Sequence, residues 1–201
     1  MTQALVGAGG VLRALTMLDR HRMWAKVSVS GEGLTLTLTG AAAMAMYGVL
    51  AQDAVIRDID ALIEGPAEVR DRLLWAAERL EIPLLDAGLL WARPGWRGAV
   101  TPARLRTDHF GVYILDPMDW VLTKLIRWYP GDRADVLGVV RQRRMDLDQL
   151  RSAVAATLQT APPPDVDWVY RAWADMTTAL GRPDLASLPM VPTATEEGPR
   201  T

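Results

Sequence analysis

The stretch that decides the fold is residues 33–63, GLTLTLTGAAAMAMYGVLAQDAVIRDIDALI. Over residues 33–39 leucine and threonine alternate strictly, which is the period-two pattern of a β-strand with one apolar face. Residues 54–63 alternate again and predict a second strand. Gly40 ends the first strand, and the small apolar residues at 41–50 favour a buried helix. The sequence therefore predicts a strand–helix–strand unit.

Around this unit the chain is mostly helical. Apolar periodicity and capping residues predict helices at 11–21, 67–80, 117–129, 133–143, 146–159 and 165–180. A short strand is predicted at 111–115, whereas prolines and glycines leave 81–107 without an assignment. Asp116 suits the N-cap and Pro117 the first position of one helix, and Asp132 suits the N-cap of the next.

This order of elements predicts an α+β fold, in which a small mixed sheet is followed by a helical C-terminal half. We expect a first domain over residues 1–145 and a helical extension over 146–181. Residues 182–201 have no apolar period, so a flexible tail is predicted there.

Composition excludes several classes of site. The 201 residues include no cysteine, which rules out disulfides, thiolate zinc sites and cysteine nucleophiles. The two histidines, His21 and His109, leave almost no material for a histidine metal site or a Ser-His-Asp triad. A formal net charge of −2 argues against holding nucleic acid by bulk charge alone. Neither a signal peptide nor a membrane span is recognisable, so we expect a cytoplasmic protein with no membrane partner.

Asp58 and Asp60, in the second predicted strand, are the strongest chemical signal. Alternate residues of a strand point the same way about 6.6 Å apart. Both carboxylates can therefore hold Mg²⁺, with water and phosphate oxygens completing its coordination. Gly40 permits close backbone approach at the strand-to-helix turn, and free N–H groups of the helix behind it suit phosphate. Spacing alone leaves open an alternative, in which both aspartates line the solvent face of an edge strand.

Four segments carry a resemblance to a known superfamily: LTLTGAAAMAMYG at 36–48, VIRDIDALI at 55–63, LDPMDWVLTKLIRW at 115–128 and GDRADVLGVV at 131–140. The first two resemble the Gly-[Gly/Ser]…Asp-x-Asp motif of the nucleotidyltransferase-like superfamily. The other two resemble its second landmark, a lysine-bearing helix followed by an Arg/Lys-Asp-x-x-Asp helix. The resemblance covers roughly residues 10–145. It is to the AbiEii-type branch, whose characterised members are toxins of bacterial toxin–antitoxin pairs, and within it to an uncharacterised bacterial subfamily.

This resemblance implies a mixed sheet of the nucleotidyltransferase type and a set of site residues in the first motif. Gly40 falls on the turn that faces the phosphates, with Ala41 after it. Asp58 and Asp60 fall on the catalytic, metal-binding pair, and Arg57 beside them falls in the nucleotide-binding stretch.

In the second landmark, Lys124 falls on the lysine that contacts the nucleotide phosphates and Asp135 on a late acid that assists catalysis. Lys124 is one of only two lysines among 22 basic residues, which hints at a need for its compact head. Two alternatives remain open. Lys124 can be an ordinary helix lysine paired with Asp119 or Asp116, and Asp135 an acidic residue that stabilises a helix start.

Two departures from the superfamily pattern bear on activity. Ala41 stands where the motif has Gly or Ser, so a hydroxyl that would touch the phosphates is missing. Many nucleotidyltransferases also use a third carboxylate on a neighbouring strand. Here Asp108 and Asp86 are the candidates.

The resemblance implies a magnesium-dependent enzyme that transfers a nucleotide from a nucleoside triphosphate to a hydroxyl of RNA or protein. The biological setting that it implies is a toxin–antitoxin or phage-defence system, with a cognate antitoxin or another protein as partner. The alternative is an inactive binding or interaction protein that has kept the fold.

Overall fold

The fold is known from a computed structural model, which describes residues 5–26, 33–88 and 90–189. Its strands are β1 (Leu5–Val6), β2 (Leu34–Leu38), β3 (Val55–Ile56), β4 (Ile59–Glu64), β5 (Leu84–Asp86), β6 (Thr101–Pro102) and β7 (Phe110–Ile114). Its helices are α1 (Gly7–Asp19), α2 (Gly40–Met46), α3 (Ala67–Arg79), α4 (Pro117–Leu125), α5 (Pro130–Arg143), α6 (Leu147–Thr160) and α7 (Val166–Ala179). None of the helices within these ranges is long and apolar enough to cross a membrane. The predicted α+β class is confirmed.

The main sheet has five strands in the order β5-β4-β2-β7-β6. Its central strand, β2, is antiparallel to β4 and parallel to β7. The leucines of β2 face the core and are at most 1% exposed, so its threonines lie on the opposite face of the sheet. One end of the sheet, which we call the Gly40 edge, consists of Thr39 and Gly40 after β2, Asp60 near the start of β4 and Leu115 after β7.

The hydrophobic core lies on the leucine face of the sheet. Leu15 and Leu18 of α1 and Leu73 of α3 are fully buried there with Leu36 and Leu38. Fully burying a leucine is worth about 1.5–3 kcal/mol. This face is therefore fixed by packing.

The second predicted strand, residues 54–63, is wrong as one continuous element. The chain forms β3 and β4 instead, with Arg57 and Asp58 between them. The reason is that β3 pairs with β1 in a separate two-stranded sheet, where Leu5 lies opposite Ile56. The chain must leave one sheet for the other at 57–58, so Asp58 precedes the strand that carries Asp60.

Two predicted helix boundaries near the second landmark also need correction. Helix α4 ends at Leu125, before residue 129, and the chain turns through Trp128 with a φ of 38°. Helix α5 begins at Pro130, because proline supplies a helical φ and needs no hydrogen bond at the first position. Asp132 is therefore not the N-cap but the third residue of α5, where it accepts a hydrogen bond from the Tyr129 N–H at 3.4 Å.

Other predicted helix starts are confirmed. Asp116 accepts a hydrogen bond from the Met118 N–H at 2.9 Å at the start of α4. Asp146 caps α6 through the Asp148 and Gln149 N–H groups. Asp165 caps α7 in the same way, through the Trp168 N–H at 2.8 Å. These acidic side chains satisfy backbone N–H groups that have no partner inside the helix.

The chain divides into two compact units. The first comprises Met1–Leu90 with Gly95–Trp120, and the second comprises Trp91–Pro94 with Val121–Thr201. The domain boundary predicted after residue 145 stays a prediction. In the segment predicted as a tail, a 3-10 turn occupies Pro183–Leu185, and Leu185 and Leu188 are buried. Residues 190–201 of that segment lie outside the described residues.

Candidate functional site

The Gly40 edge is built around a contact between Gly40 and the Asp60 carboxylate. Gly40 has a φ of 51°, and a Cβ added to it would lie 2.1 Å from Asp60 Oδ2 and 3.0 Å from Cγ. The Thr39 N–H also donates to the Asp60 carbonyl at 2.8 Å, which fixes the register of the two strands. Only glycine tolerates both this conformation and this proximity. The structure therefore brings together two of the predicted site residues, Gly40 and Asp60.

A tryptophan that the sequence analysis did not single out holds the turn in place. The Trp120 indole N–H donates to the Gly40 carbonyl at 3.0 Å, and Trp120 is 1% exposed. The backbone of β7 contributes as well, since the Leu115 N–H donates to the Leu38 carbonyl at 3.1 Å. The sequence signal for this contact was a tryptophan one turn into the helix after β7, but its partner depends on sheet order.

The remaining residues of the first motif flank Gly40 and Asp60 in the sequence. Asp58 is half-buried in the crossover, two residues before Asp60, and within the described ranges it has no ion-pair partner. Arg57 is exposed. Ala41 is half-buried in the first turn of α2 and offers only a methyl group.

Neither candidate for a third carboxylate lies beside Asp60. Asp108 precedes β7 at the end of the strand opposite the Gly40 edge, where its N–H bonds to the Asp19 carboxylate. Asp86 pairs with Ala61, which places it on the other face of the sheet from Asp60, and its carboxylate accepts the Gly88 N–H at 3.0 Å. Both candidates are wrong for that role.

The residue beside Asp60 on β5 is apolar. Leu85 is its register partner, lies on the same face of the sheet and is 49% exposed. On the other side, Thr39 is the neighbour of Asp60 on β2. The strand positions that flank Asp60 therefore carry a hydroxyl and an alkyl group, and no carboxylate.

The second landmark forms a charged cluster in the second unit. Lys124 is 7% exposed, and its Nζ lies 2.6 Å from Asp132 Oδ1 and 3.9 Å from Asp135 Oδ2. Arg127 also bonds to Asp132, at 3.0 Å. The nearer acid is thus Asp132, which the sequence analysis treated as a helix cap, and the predicted site residue Asp135 is the more distant one.

The turn that carries Asp132 is anchored to α7. The Trp128 indole N–H donates to Asp175 Oδ2 at 3.0 Å, and Arg133 Nε donates to the same oxygen at 2.6 Å. These bonds, above all the one from Arg133, hold the pKa of Asp175 below its usual value. The anchored turn keeps Asp132 directed at Lys124.

The two acids of the cluster have pKa shifts of opposite sign. Burial raises the pKa of Asp132, but hydrogen bonds from Lys124 and Arg127 outweigh it, so its pKa is lowered overall. Burial is also the largest influence on Asp135 and raises its pKa, because attraction to Lys124 at 3.9 Å does not fully offset burial and repulsion by Asp132. Asp132 is therefore the fixed counter-ion of Lys124, and Asp135 is the acid that accepts a proton more readily.

A metal ion at the Gly40 edge would need ligands from outside the protein. Within the described residues no group of three or more histidine, aspartate or glutamate side chains could hold an ion. Asp58 and Asp60 supply two hard carboxylates, which suit Mg²⁺ when phosphate oxygens and water complete the shell. Because Asp58 lies in the crossover and Asp60 in β4, the two carboxylates are not set by the regular spacing of a single strand.

Comparison with known protein families decides the superfamily. The family described as "Nucleotidyltransferase of unknown function (DUF6036)" has a model that matches residues 14–180. The chain belongs to this family. The match includes every site residue predicted from the sequence, in both landmarks. No curated protein and no solved structure matches the chain.

Proposed function

We propose that this member of the nucleotidyltransferase family transfers a nucleotide from a nucleoside triphosphate to a hydroxyl group of RNA or protein, in a magnesium-dependent reaction. One observation carries the proposal: the Asp60 carboxylate lies against Gly40, which only a residue without Cβ can accommodate. An aspartate that merely lined a solvent face would not require a glycine with positive φ on the adjacent strand.

Asp58 and Asp60 are the residues that would hold Mg²⁺. When bound, the ion neutralises charge on the phosphates and orients them for in-line displacement. The acceptor oxygen would form a bond to the α-phosphorus as its proton passes to solvent water. The bond from that phosphorus to the bridging oxygen breaks, and pyrophosphate departs with the electron pair.

The other predicted residues support binding of the triphosphate. Arg57 is exposed next to the aspartate pair and offers a guanidinium to phosphate oxygens. Lys124 would neutralise charge on the departing pyrophosphate, with Asp132 keeping its ammonium oriented. Asp135 would assist as an acid whose pKa is raised.

The closer relationship and the biological setting are part of the proposal. Resemblance to the AbiEii-type branch supports a toxin of a toxin–antitoxin or phage-defence pair, with a cognate antitoxin as protein partner. We expect that expression of the wild type arrests growth and that co-expression of a neighbouring small gene reverses the arrest. Expression of Asp60→Asn should not arrest growth.

The direct test is transfer of label from each α-³²P nucleoside triphosphate, with Mg²⁺, to total RNA and to protein. Wild type should label one acceptor class, and Asp58→Asn and Asp60→Asn should not. Asp53→Asn is the matched control, because Asp53 is an exposed aspartate in the turn before β3. Equal labelling by Asp60→Asn and wild type would contradict the proposal.

A second candidate, an inactive binding or interaction protein, is favoured by two observations. Ala41 lacks the hydroxyl of the motif, and Leu85 occupies the strand position beside Asp60 where a third carboxylate could act. This candidate predicts that the wild type binds nucleoside triphosphate but labels no acceptor. The Leu85→Asp variant, which places an acid beside Asp60, then tests whether an added carboxylate allows the protein to transfer nucleotide to an acceptor.

A further inference from the structure

Thr39 lies directly beside the Asp60 carboxylate. Its N–H donates to the Asp60 carbonyl at 2.8 Å, one step beyond the register pair of Leu38 and Ala61. Opposite residues of antiparallel strands place their side chains on the same face, about 5 Å apart. Thr39 therefore shares the face of Asp60 and precedes Gly40, where an added Cβ would collide with the carboxylate.

The Thr39 hydroxyl has no hydrogen-bond partner in the described part of the chain. The residue is 5% exposed, and its side chain does not cap α2. The Thr37 hydroxyl, 3% exposed on the same face, has no partner among the described residues either, so what distinguishes Thr39 is its position beside Asp60 and Gly40.

We propose that Thr39 Oγ1 donates a hydrogen bond to a phosphate oxygen of the nucleotide that Asp58 and Asp60 hold. This inference rests on the proposed function and deepens it. In this chain Ala41 stands where the motif can have a serine, so the hydroxyl that would touch the phosphates is missing there. Thr39, two positions earlier, would supply a hydroxyl to the phosphates from the strand side of Gly40. Recognition through phosphate is independent of the base, so all four nucleoside triphosphates share it.

The test compares Thr39→Val and Thr39→Ser with wild type. Dissociation constants are measured by calorimetry with Mg²⁺ and each of ATP, GTP, CTP and UTP. Thr39→Val should weaken binding by about tenfold, the size of one hydrogen bond to a charged group, and by the same factor for every nucleotide that binds. Thr39→Ser keeps the hydroxyl and should remain within about twofold of wild type.

Thr37→Val is the matched control. Thr37 is 3% exposed on the same face of β2, about 6.6 Å further from the Gly40 edge. The Thr37→Val variant should therefore bind nucleotide as wild type does. Without nucleotide, Thr39→Val should unfold at no lower temperature than wild type, because the hydroxyl has no partner within the protein.

The outcomes separate the two proposals. Binding by wild type with no loss in Thr39→Val, an equal loss in Thr37→Val, or a less stable unliganded Thr39→Val would each overturn the role of Thr39 alone. A wild type that binds none of the four nucleotides would overturn the proposed function, and the role of Thr39 with it.

Discussion

Gly40 has a positive φ and lies so close to the Asp60 carboxylate that a methyl group would not fit between them. The alternation of β2 and the glycine after it predicted the strand-to-helix turn, and the resemblance to the nucleotidyltransferase motif implied that Gly40 and Asp60 act together. The roles of Thr39 and Leu85 could not be predicted, because the neighbours of Asp60 depend on pairing with β2 and β5. Local sequence patterns do not determine which strands pair.

At this scale, Gly40→Ala should destabilise the protein more than Gly48→Ala. Gly48 also has a positive φ, of 70°, but an added Cβ there would meet nothing within 4 Å. Gly48→Ala should therefore cost only the backbone strain, roughly 1–3 kcal/mol. Gly40→Ala adds the collision with Asp60, and urea unfolding should show the larger loss. Equal losses would mean that the close contact does not exist in solution.

The opposite pKa shifts of Asp132 and Asp135 predict opposite effects of neutralising them. The lowered pKa of Asp132 contributes stability that is fully present above its unfolded value of 3.8 and is lost as pH falls through the folded value. Asp132→Asn should therefore lower the unfolding free energy at pH 7 by about 3 kcal/mol, since it leaves a buried lysine with a weaker partner. The difference in unfolding free energy between wild type and Asp132→Asn should shrink as pH falls below the unfolded pKa of 3.8.

Asp135→Asn is the control for this cluster. Because the pKa of Asp135 is raised, its ionisation opposes folding once pH exceeds the unfolded value, so the substitution should leave stability at pH 7 unchanged or higher. Urea unfolding of both variants between pH 3 and about pH 7 gives the comparison. A larger loss in Asp135→Asn than in Asp132→Asn would contradict the assignment of Asp132 as the counter-ion of Lys124.

At the scale of elements, a tryptophan in α4 holds the turn between β2 and α2 through one hydrogen bond. Long periodic helices such as α1, α3, α6 and α7 could be predicted, because each displays its buried face every three to four residues. The break between β3 and β4 could not, because the alternation runs through it. Its cause is a partner strand, β1, far away in the sequence.

Trp120→Phe should loosen the turn by leaving the buried Gly40 carbonyl without its donor. The expected loss of stability is about 1–3 kcal/mol, together with weaker nucleotide binding. Trp173→Phe is the matched control, since the Trp173 indole N–H donates to the Leu185 carbonyl at 2.7 Å and the residue is fully buried in α7. Unfolding and nucleotide titration should show that both variants lose stability and only Trp120→Phe loses affinity. Equal affinities would exclude a role for Trp120 in positioning Gly40.

At the scale of the whole molecule, the family match over residues 14–180 agrees with the superfamily that the two landmarks indicated. The fold class followed from the order of elements, whereas the sheet order β5-β4-β2-β7-β6 needed long-range pairing that no short segment encodes. Substrate, metal and acceptor remain proposals that rest on the Gly40 edge.

The central claim is that Asp58 and Asp60 hold a metal with the phosphates of a nucleotide. Its most direct test is thermal unfolding of wild type and of Asp58→Asn/Asp60→Asn, with nucleoside triphosphates, in the presence and absence of Mg²⁺. A ligand at about 100 times its Kd stabilises the native state by roughly 2.7 kcal/mol, which gives a clear rise in Tm. The account predicts a rise for wild type that requires Mg²⁺ and disappears in the double variant. No rise with any nucleotide, or a rise that the double variant retains, would contradict it.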